Sequence, residues 1–364
     1  MLIVGGGLAG AAAAIQLARA GREVVLLERS NGPHHKVCGE FLSAEALGYL
    51  AALGADVAAL GAVPIRAVRL AGVERPLPFS AMSLMRCRLD EELLRLAGAA
   101  GATVLRGRSV QSLARVGEGW RARLDDAAEV TAEAAMLATG KHDLHGHART
   151  QGRQPGLVGL KMYFQLASVQ THALAGRVEL IVYRGGYAGL QPVEGGAANL
   201  CCLIDSVELR RLGGWGGLLA AMQEQSPDLR ERLTGATLLL EKPLAIAPIP
   251  YGYMRGAKAI EPGLWALGDQ AAVIPSFTGD GMSIALHSGC LAAAMYLEGA
   301  TAEQFQQRLH AELRRQVALA TVVSRGLVNP VMQPMFTAAV RVFPSLLGMV
   351  ARQTRIAPLV LQSF

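Results

Sequence analysis

The sequence predicts an α/β protein in three parts: a unit built on a parallel sheet, an antiparallel β-sheet unit beside it, and a helical C-terminal tail. Three observations carry this. Residues 1–28, MLIVGGGLAGAAAAIQLARAGREVVLLE, run as apolar strand, glycine-rich turn, alanine-rich helix and second apolar strand. From residue 156 to residue 250 strand-like runs follow one another, interrupted by one helix. Beyond Glu303 apolar residues recur at helical spacing.

In the first unit, Leu2-Ile3-Val4 is a short buried strand, and Gly5, Gly7 and Gly10 form G-x-G-x-x-G. Ala11 to Ala20 is a helix that Gly21 stops. Val24 to Leu27 is the second strand, ending in Glu28. Gly5 permits a tight turn, Gly7 lets the backbone approach a pyrophosphate, and Gly10 lets helix and strand pack closely. The helix N-terminus favours phosphate charge, and Glu28 suits ribose hydroxyls. An isolated glycine pattern is a weak signal. With strand, helix and acid all in place it marks a Rossmann-like dinucleotide-binding unit.

The far end of the chain extends this reading. Residues 263–289 are GLWALGDQAAVIPSFTGDGMSIALHSG. Leu264 to Leu267 reads as a buried strand, followed by Gly268-Asp269, a Pro/Gly loop and an apolar helix beginning near Gly281. Asp269 by itself is also compatible with a helix cap. Residues 86–94, RCRLDEELL, begin an amphipathic helix in which Arg86 is either a surface ion-pair member or a ligand contact. Residues 36–43, KVCGEFLS, follow a doubled histidine, His34-His35.

These segments resemble the flavoprotein superfamily of para-hydroxybenzoate hydroxylases and geranylgeranyl reductases. The resemblance covers roughly residues 1–60, 82–140 and 255–300, and implies an FAD-binding domain of the glutathione-reductase type. It places Asp269 at the ribityl chain or its phosphate neighbourhood, and Arg86 near the FAD. KVCGEFLS is similar to the K-x-C-G-G segment of geranylgeranyl reductases, which lies close to the flavin. Pro275, Gly279, Gly281, Ala285, Ser288 and Gly289 follow their P-x-x-x-G-x-G-x-x-x-A-x-x-S-G spacing. The implied cofactor-binding set is Gly5, Gly7, Gly10, Glu28, Arg29, Lys36, Arg86, Val110, Gly268, Asp269, Pro275, Gly279, Gly281 and Met282. Cys38 and Glu40 are the catalytic candidates. Cys38 reads as a residue shaping the flavin pocket, as a small buried hydrophobe, or as a proton donor. Glu40 reads as an acid or as a charge in a solvated loop.

The sequence also departs from the family. Glu40 replaces the second glycine of C-G-G. Ala138-Thr139-Gly140 stands where hydroxylases carry an Asp-Gly motif that helps bind flavin and NADPH. The expected electron donor is therefore either NADPH or a separate reductase protein.

The expected FAD domain takes residues 1–63, 82–155 and 255–300. The β-sheet substrate domain takes 64–81 and 156–254, and the C-terminal helices 301–364. Met162, Phe164, Tyr251 and Tyr253 are candidates for the substrate pocket, although strand alternation makes several of them ordinary core. HDLHGH, His142 to His147, reads as an interdomain loop, and no metal site is expected. Lys36, Lys141 and Lys161 suit phosphates or an anionic substrate, exposure being the default for lysine. The proline-broken tail, LVNPVMQPMF and VRVFPSLLGMV, suits packing on the substrate domain, shelter for a greasy substrate, or contact with a membrane surface.

Composition narrows the function. Hydrophobic residues make up 51% and charged residues 18%, enough for a large core. Mean hydropathy is +0.30, yet no run of eighteen uncharged apolar residues occurs, so no spanning helix is expected. Five cysteines without C-x-x-C point away from zinc or a disulfide framework and toward a reducing cytoplasm. The net charge of +6 fits an anionic cofactor, acidic lipids or nucleic acid, and the 5% aromatic content argues against nucleic acid. The expectation is an FAD-dependent oxidoreductase acting on a hydrophobic small molecule of isoprenoid, lipid or polyketide type. Its leading reaction is reduction of a carbon–carbon double bond. Hydroxylation by a flavin monooxygenase is the rival, and a non-catalytic flavin-binding protein the third reading.

Overall fold

A computed structural model describes residues 1–353, 355 and 356; the end of the predicted helical tail, 357–364, lies outside the described residues. Five strands form a parallel sheet in the order Leu264–Ala266, Ala135–Leu137, Leu2–Val4, Val25–Glu28, Thr103–Arg106. Alternation along these short strands sends side chains to two separate cores. Ile3, Leu26, Met136 and Trp265 face a helical layer made by Leu8–Arg19, Arg86–Ala99 and Gly281–Leu297. Leu2, Val4, Leu27, Leu137 and Leu264 face a three-stranded meander, Val110–Ala132, capped by Trp120. The alanines of the first helix permit close packing: a Cβ on Gly289 would lie 2.2 Å from the Ala9 carbonyl oxygen.

The second sheet has nine strands. Its centre is the long strand Gln154–Gln165, paired with Ala197–Asp205 on one side and with Leu244–Tyr251 and Thr237–Leu238 on the other. Gly186–Pro192 and Arg177–Tyr183 continue it. Val63–Leu70 then joins Arg177–Tyr183 in parallel, the one departure from the antiparallel pattern, and Val73–Ser83 and Phe41–Leu42 complete the edge. The stretch ATLLLEKPLAIAPIP, Ala236 to Pro250, forms two strands, broken around Glu241-Lys242-Pro243. Helices Ser168–Leu174, Ser206–Arg211 and Pro227–Arg232 accompany the expected helix, here Trp215–Gln225, and cover the outer face.

The tail starts as a long helix, Ala302–Val328, opened by a capping box between Thr301 and Gln304. Its Phe305, Leu309, Leu313 and Val317 pack into the first core. Two short helices, Gln333–Val342 and Ser345–Gln353, then lie against Val68 and Leu70 of the second sheet. The Gln333 side chain fixes the first of them by donating to the Tyr183 carbonyl at 2.6 Å.

Candidate active site

One cavity of about 620 Å³ runs from the glycine-rich turn to the inner face of the second sheet. Its first half is polar. Gly5 has φ 109° and its N–H donates to the Leu27 carbonyl. A Cβ on Gly10 would sit 2.0 Å from the Gly5 carbonyl oxygen, so Gly10 seals the turn against the helix rather than facing the cavity. Gly7 faces open space ringed by cations: its missing Cβ would be 3.7 Å from Arg86 Nη2 and 3.8 Å from Lys36 Nζ. Arg86 holds buried Asp90 through Nε (2.8 Å) and Nη2 (3.1 Å), and Lys36 Nζ lies 2.7 Å from the same carboxylate. Two cations share one anion at a helix N-terminus that has no acid in its first turn. The excess positive charge and the glycine cradle suit a pyrophosphate.

Glu28 is buried and accepts from Gly6 N–H (2.8 Å) and Ser30 N–H (2.9 Å), one on each oxygen. Burial opposes its ionisation, but these N–H groups and Lys36 win and hold it below the usual carboxylate range. Each oxygen keeps acceptor capacity for a ribose hydroxyl. Arg29 and Val110 line the same end of the cavity.

Across the cavity, Gly268, Asp269, Gly279, Gly281 and Met282 all line its wall, whereas Pro275 does not. Pro275 instead accepts the Thr278 hydroxyl at 3.0 Å and starts a turn that ends at Gly279, where φ is 73°. Asp269 sits in a single helical turn, Gly268–Gln270, and its carboxylate lies 3.4 Å from Lys141 Nζ. Asp269 raises the Lys141 pKa against the pull of burial. Sequence reasoning missed Arg149, whose guanidinium ties this corner together. It donates to the Asp269 carbonyl (3.0 Å), the Lys141 carbonyl (2.7 Å) and Asp143 (2.7 Å). Nothing in its local pattern marks it, since it joins two segments, the loop at Lys141–Asp143 and the distant turn at Asp269.

Glu40 overturns the reading of a solvated charge. It is fully buried, with φ 62°, the left-handed region that favours glycine. Its Oε1 accepts from Tyr163 OH (2.7 Å) and Arg86 N–H (2.8 Å) and pairs with Lys161 Nζ (2.7 Å); Oε2 accepts from Asn199 Nδ2 (3.0 Å). Lys161 is itself fully buried, contrary to the expected exposure. Four donors engage its carboxyl group, an arrangement that suits holding the Cys38 segment in place. Burial and Glu40 together push the Tyr163 phenol far above its ordinary range. Asn199 also donates to the Cys38 (3.2 Å) and Gly39 (3.0 Å) carbonyls, and the Cys38 Sγ accepts the Glu40 N–H at 3.3 Å. The network thus fixes Cys38 at the cavity wall, half-buried.

The other half of the cavity is apolar. Leu180, Val182, Leu203, Ile246 and Ile249 line it from the second sheet, and Phe336 and Leu347 from the tail. Tyr251 faces it, as expected of a pocket residue. Met162 and Phe164 do not: strand alternation turns them to the outer face, where they pack with Leu218, Met222 and Leu229. Tyr253 lies in a neighbouring cluster with Val273 and Leu327, its ring 5.9 Å from the Arg255 guanidinium carbon. His147 is buried and its Nε2 bonds the Leu113 carbonyl, while His142 and His145 are exposed. Among the described residues no three metal-ligating side chains converge.

Residues 3–58 match the family of NAD(P)-binding Rossmann-like domains. The chain is 27% identical to menaquinone reductase of Mycolicibacterium smegmatis over 319 residues, covering 82% of this chain and 76% of that protein. It is 26% identical to menaquinone reductase of Mycobacterium tuberculosis, covering 81% and 76%. In fold it is similar to PqsL of Pseudomonas aeruginosa, described as a probable FAD-dependent monooxygenase (TM-score 0.74, 19% identity, 93% of this chain and 98% of that one). It is similar also to the myxobacterial chondrochloren halogenase CndH (TM-score 0.76, 21% identity, 100% and 92%). Fingerprint, second motif, fold and relatives together support an FAD-dependent oxidoreductase.

Proposed function

We propose that this protein reduces a carbon–carbon double bond in a long-chain isoprenoid lipid of the quinone type, using FAD. The observation that carries the reading is the apolar half of the cavity, which begins at the Cys38 wall and extends between the inner sheet face and the tail helices. Such a channel accepts a hydrocarbon chain and offers few groups to orient a small phenol. The name of the two mycobacterial relatives, menaquinone reductase, favours the same substrate class.

FAD would be held by the Gly5–Gly10 turn, Glu28, the Lys36–Arg86–Asp90 cluster and the Asp269–Gly281 segment, and it would supply two electrons as a hydride. The protein's own part is to place the alkene, exclude water and manage one proton. The alkene would gain that hydride at one carbon and a proton at the other, so the product would carry two more hydrogens. Cys38 is one side chain on the cavity wall with an exchangeable proton, and Glu40 with Asn199 sets its position.

The test is anaerobic. Dithionite-reduced protein is mixed with detergent-dispersed menaquinone carrying an unsaturated chain, and with the same quinone fully saturated. After air reoxidation of the quinone ring, a side chain two hydrogens heavier in the first quinone, with no change of mass in the second, is the expected result. An oxygen-dependent hydroxylated product, with no anaerobic turnover, overturns it in favour of a monooxygenase.

A further inference from the structure

The charge of this chain is not spread along it. Residues 1–312 hold 29 basic and 29 acidic residues, while residues 313–364 hold six arginines and no acid. The whole net charge of +6 therefore belongs to the tail, a feature hidden when the basic residues are viewed alone. Arg314, Arg315, Arg325, Arg341 and Arg352 are exposed; Arg355 is turned inward to Asp280 at 2.5 Å.

Apolar exposure concentrates in the same place. Among the described residues, Val331, Met332, Met335, Val342, Phe343 and Met349 are six of twelve exposed large hydrophobics, within nineteen residues. They belong to or flank the helices Gln333–Val342 and Ser345–Gln353, whose opposite sides already contribute Phe336, Val340, Leu346 and Leu347 to the cavity wall. A helix that is apolar on two faces has one face that water does not suit. These helices are about 15 Å long at most, half the thickness of a bilayer core, and they meet at 103°. No single helix among the described residues is long and apolar enough to cross a membrane. Short length, a sharp bend, outward apolar side chains and unbalanced arginines fit an element lying in the interfacial layer.

We infer that the two tail helices dock the protein onto an anionic lipid surface, with Met335, Val342 and Phe343 inserted among the acyl chains and Arg341 and Arg352 at the headgroups. The helices that roof the apolar cavity are then the part of the protein nearest the bilayer. The inference rests on the surface alone and stands whichever reaction the flavin site performs.

Flotation of the full-length holoprotein with vesicles tests it. Vesicles of phosphatidylcholine are compared with vesicles containing about one third phosphatidylglycerol. Retention on the anionic vesicles, weakened by salt, is expected. Two variants on separate segments, V331S/M335S and V342S/F343S, each lower the partition coefficient about tenfold or more. Both must keep bound flavin and the wild-type circular dichroism spectrum. Arg352→Gln lowers retention on anionic vesicles only. Equal retention on both vesicle types, or none on either, overturns the inference. So does a concentration-dependent dimer that the serine variants dissociate without any vesicle binding, which would make this face a contact between two copies.

Discussion

The buried pair Glu40–Lys161 yields a prediction that separates a clamp from a passive ion pair. Lys161→Met removes one of four donors to Glu40 and the 3.2 Å bond to the Lys36 carbonyl. Glu40 then keeps Tyr163, the Arg86 N–H and Asn199. Glu40→Gln is worse, because the Lys161 ammonium stays fully buried without a counter-charge, facing the Lys36 carbonyl, the Tyr163 ring and a neutral amide. Breaking a buried pair from one side costs about 3–5 kcal/mol. The lysine variant belongs near the lower end and the glutamine variant near the upper. Removing both charges leaves no uncompensated ion, so the double variant costs less than the sum, with a coupling of about 2 kcal/mol or more. Urea unfolding of the four holoproteins, followed by far-UV circular dichroism, measures the cycle. The flavin absorbance bands, recorded in parallel, report any shift of the Cys38 segment. A Glu40→Gln variant within about 1 kcal/mol of wild type, or strictly additive changes, refutes the clamp.

Glu28→Ala removes the acceptor for Gly6 and Ser30 N–H, and weakens FAD retention on gel filtration by tenfold or more, roughly the loss of one charge-assisted bond. Gly10→Ala places a methyl against backbone at 2.0 Å and abolishes flavin retention, whereas Gly48→Ala, with nothing within 4 Å, stabilises its helix by about 0.4–1 kcal/mol in thermal unfolding. Burial pushes the Asp280 carboxyl up to about 8 against the pull of Arg355. A carboxyl raised in the fold holds its proton more tightly folded than unfolded, so its contribution to stability falls as pH climbs from the ordinary carboxylate range through 8. Asp280→Asn flattens that decline, by at most about 1.4 kcal/mol per pH unit, and identical wild-type and variant profiles from pH 5 to 9 would contradict the assignment. NADPH added anaerobically leaves the flavin absorbance unchanged if the electrons come from a separate donor protein, and rapid bleaching would show otherwise.

Local patterns were the legible part. The strand–turn–helix–strand of residues 1–28 needs only near-neighbour geometry, and its glycines announce themselves by spacing. The outer and inner faces of Gln154–Gln165 were harder. Alternation makes Met162 and Phe164 companions, but nothing along the strand says which set meets the cavity and which meets the covering helices. The replacement of a family glycine by Glu40 looked like a loss of the motif. The fold keeps the left-handed backbone that a glycine would take there, and four donors from distant segments hold the glutamate in it. Those donors come from residues 86, 161, 163 and 199, so no local window contains the explanation. Arg149 was invisible because its long-range partner, the Asp269 carbonyl, lies 120 residues away in the chain.

The order of strands in the parallel sheet has a consequence for how the protein is made. The glycine turn leaves the ribosome well before the edge strand Leu264–Ala266 and the helix Gly281–Leu297, which packs on Leu8–Arg19; both come more than 250 residues later. At ordinary translation speeds this separates them by tens of seconds. Throughout that interval the alanine face of the first helix lacks its partner, and half of the cofactor cradle does not exist. The nascent chain must therefore protect that face before flavin can help hold it, and a chain ending at residue 254 would carry an intact fingerprint with no flavin site.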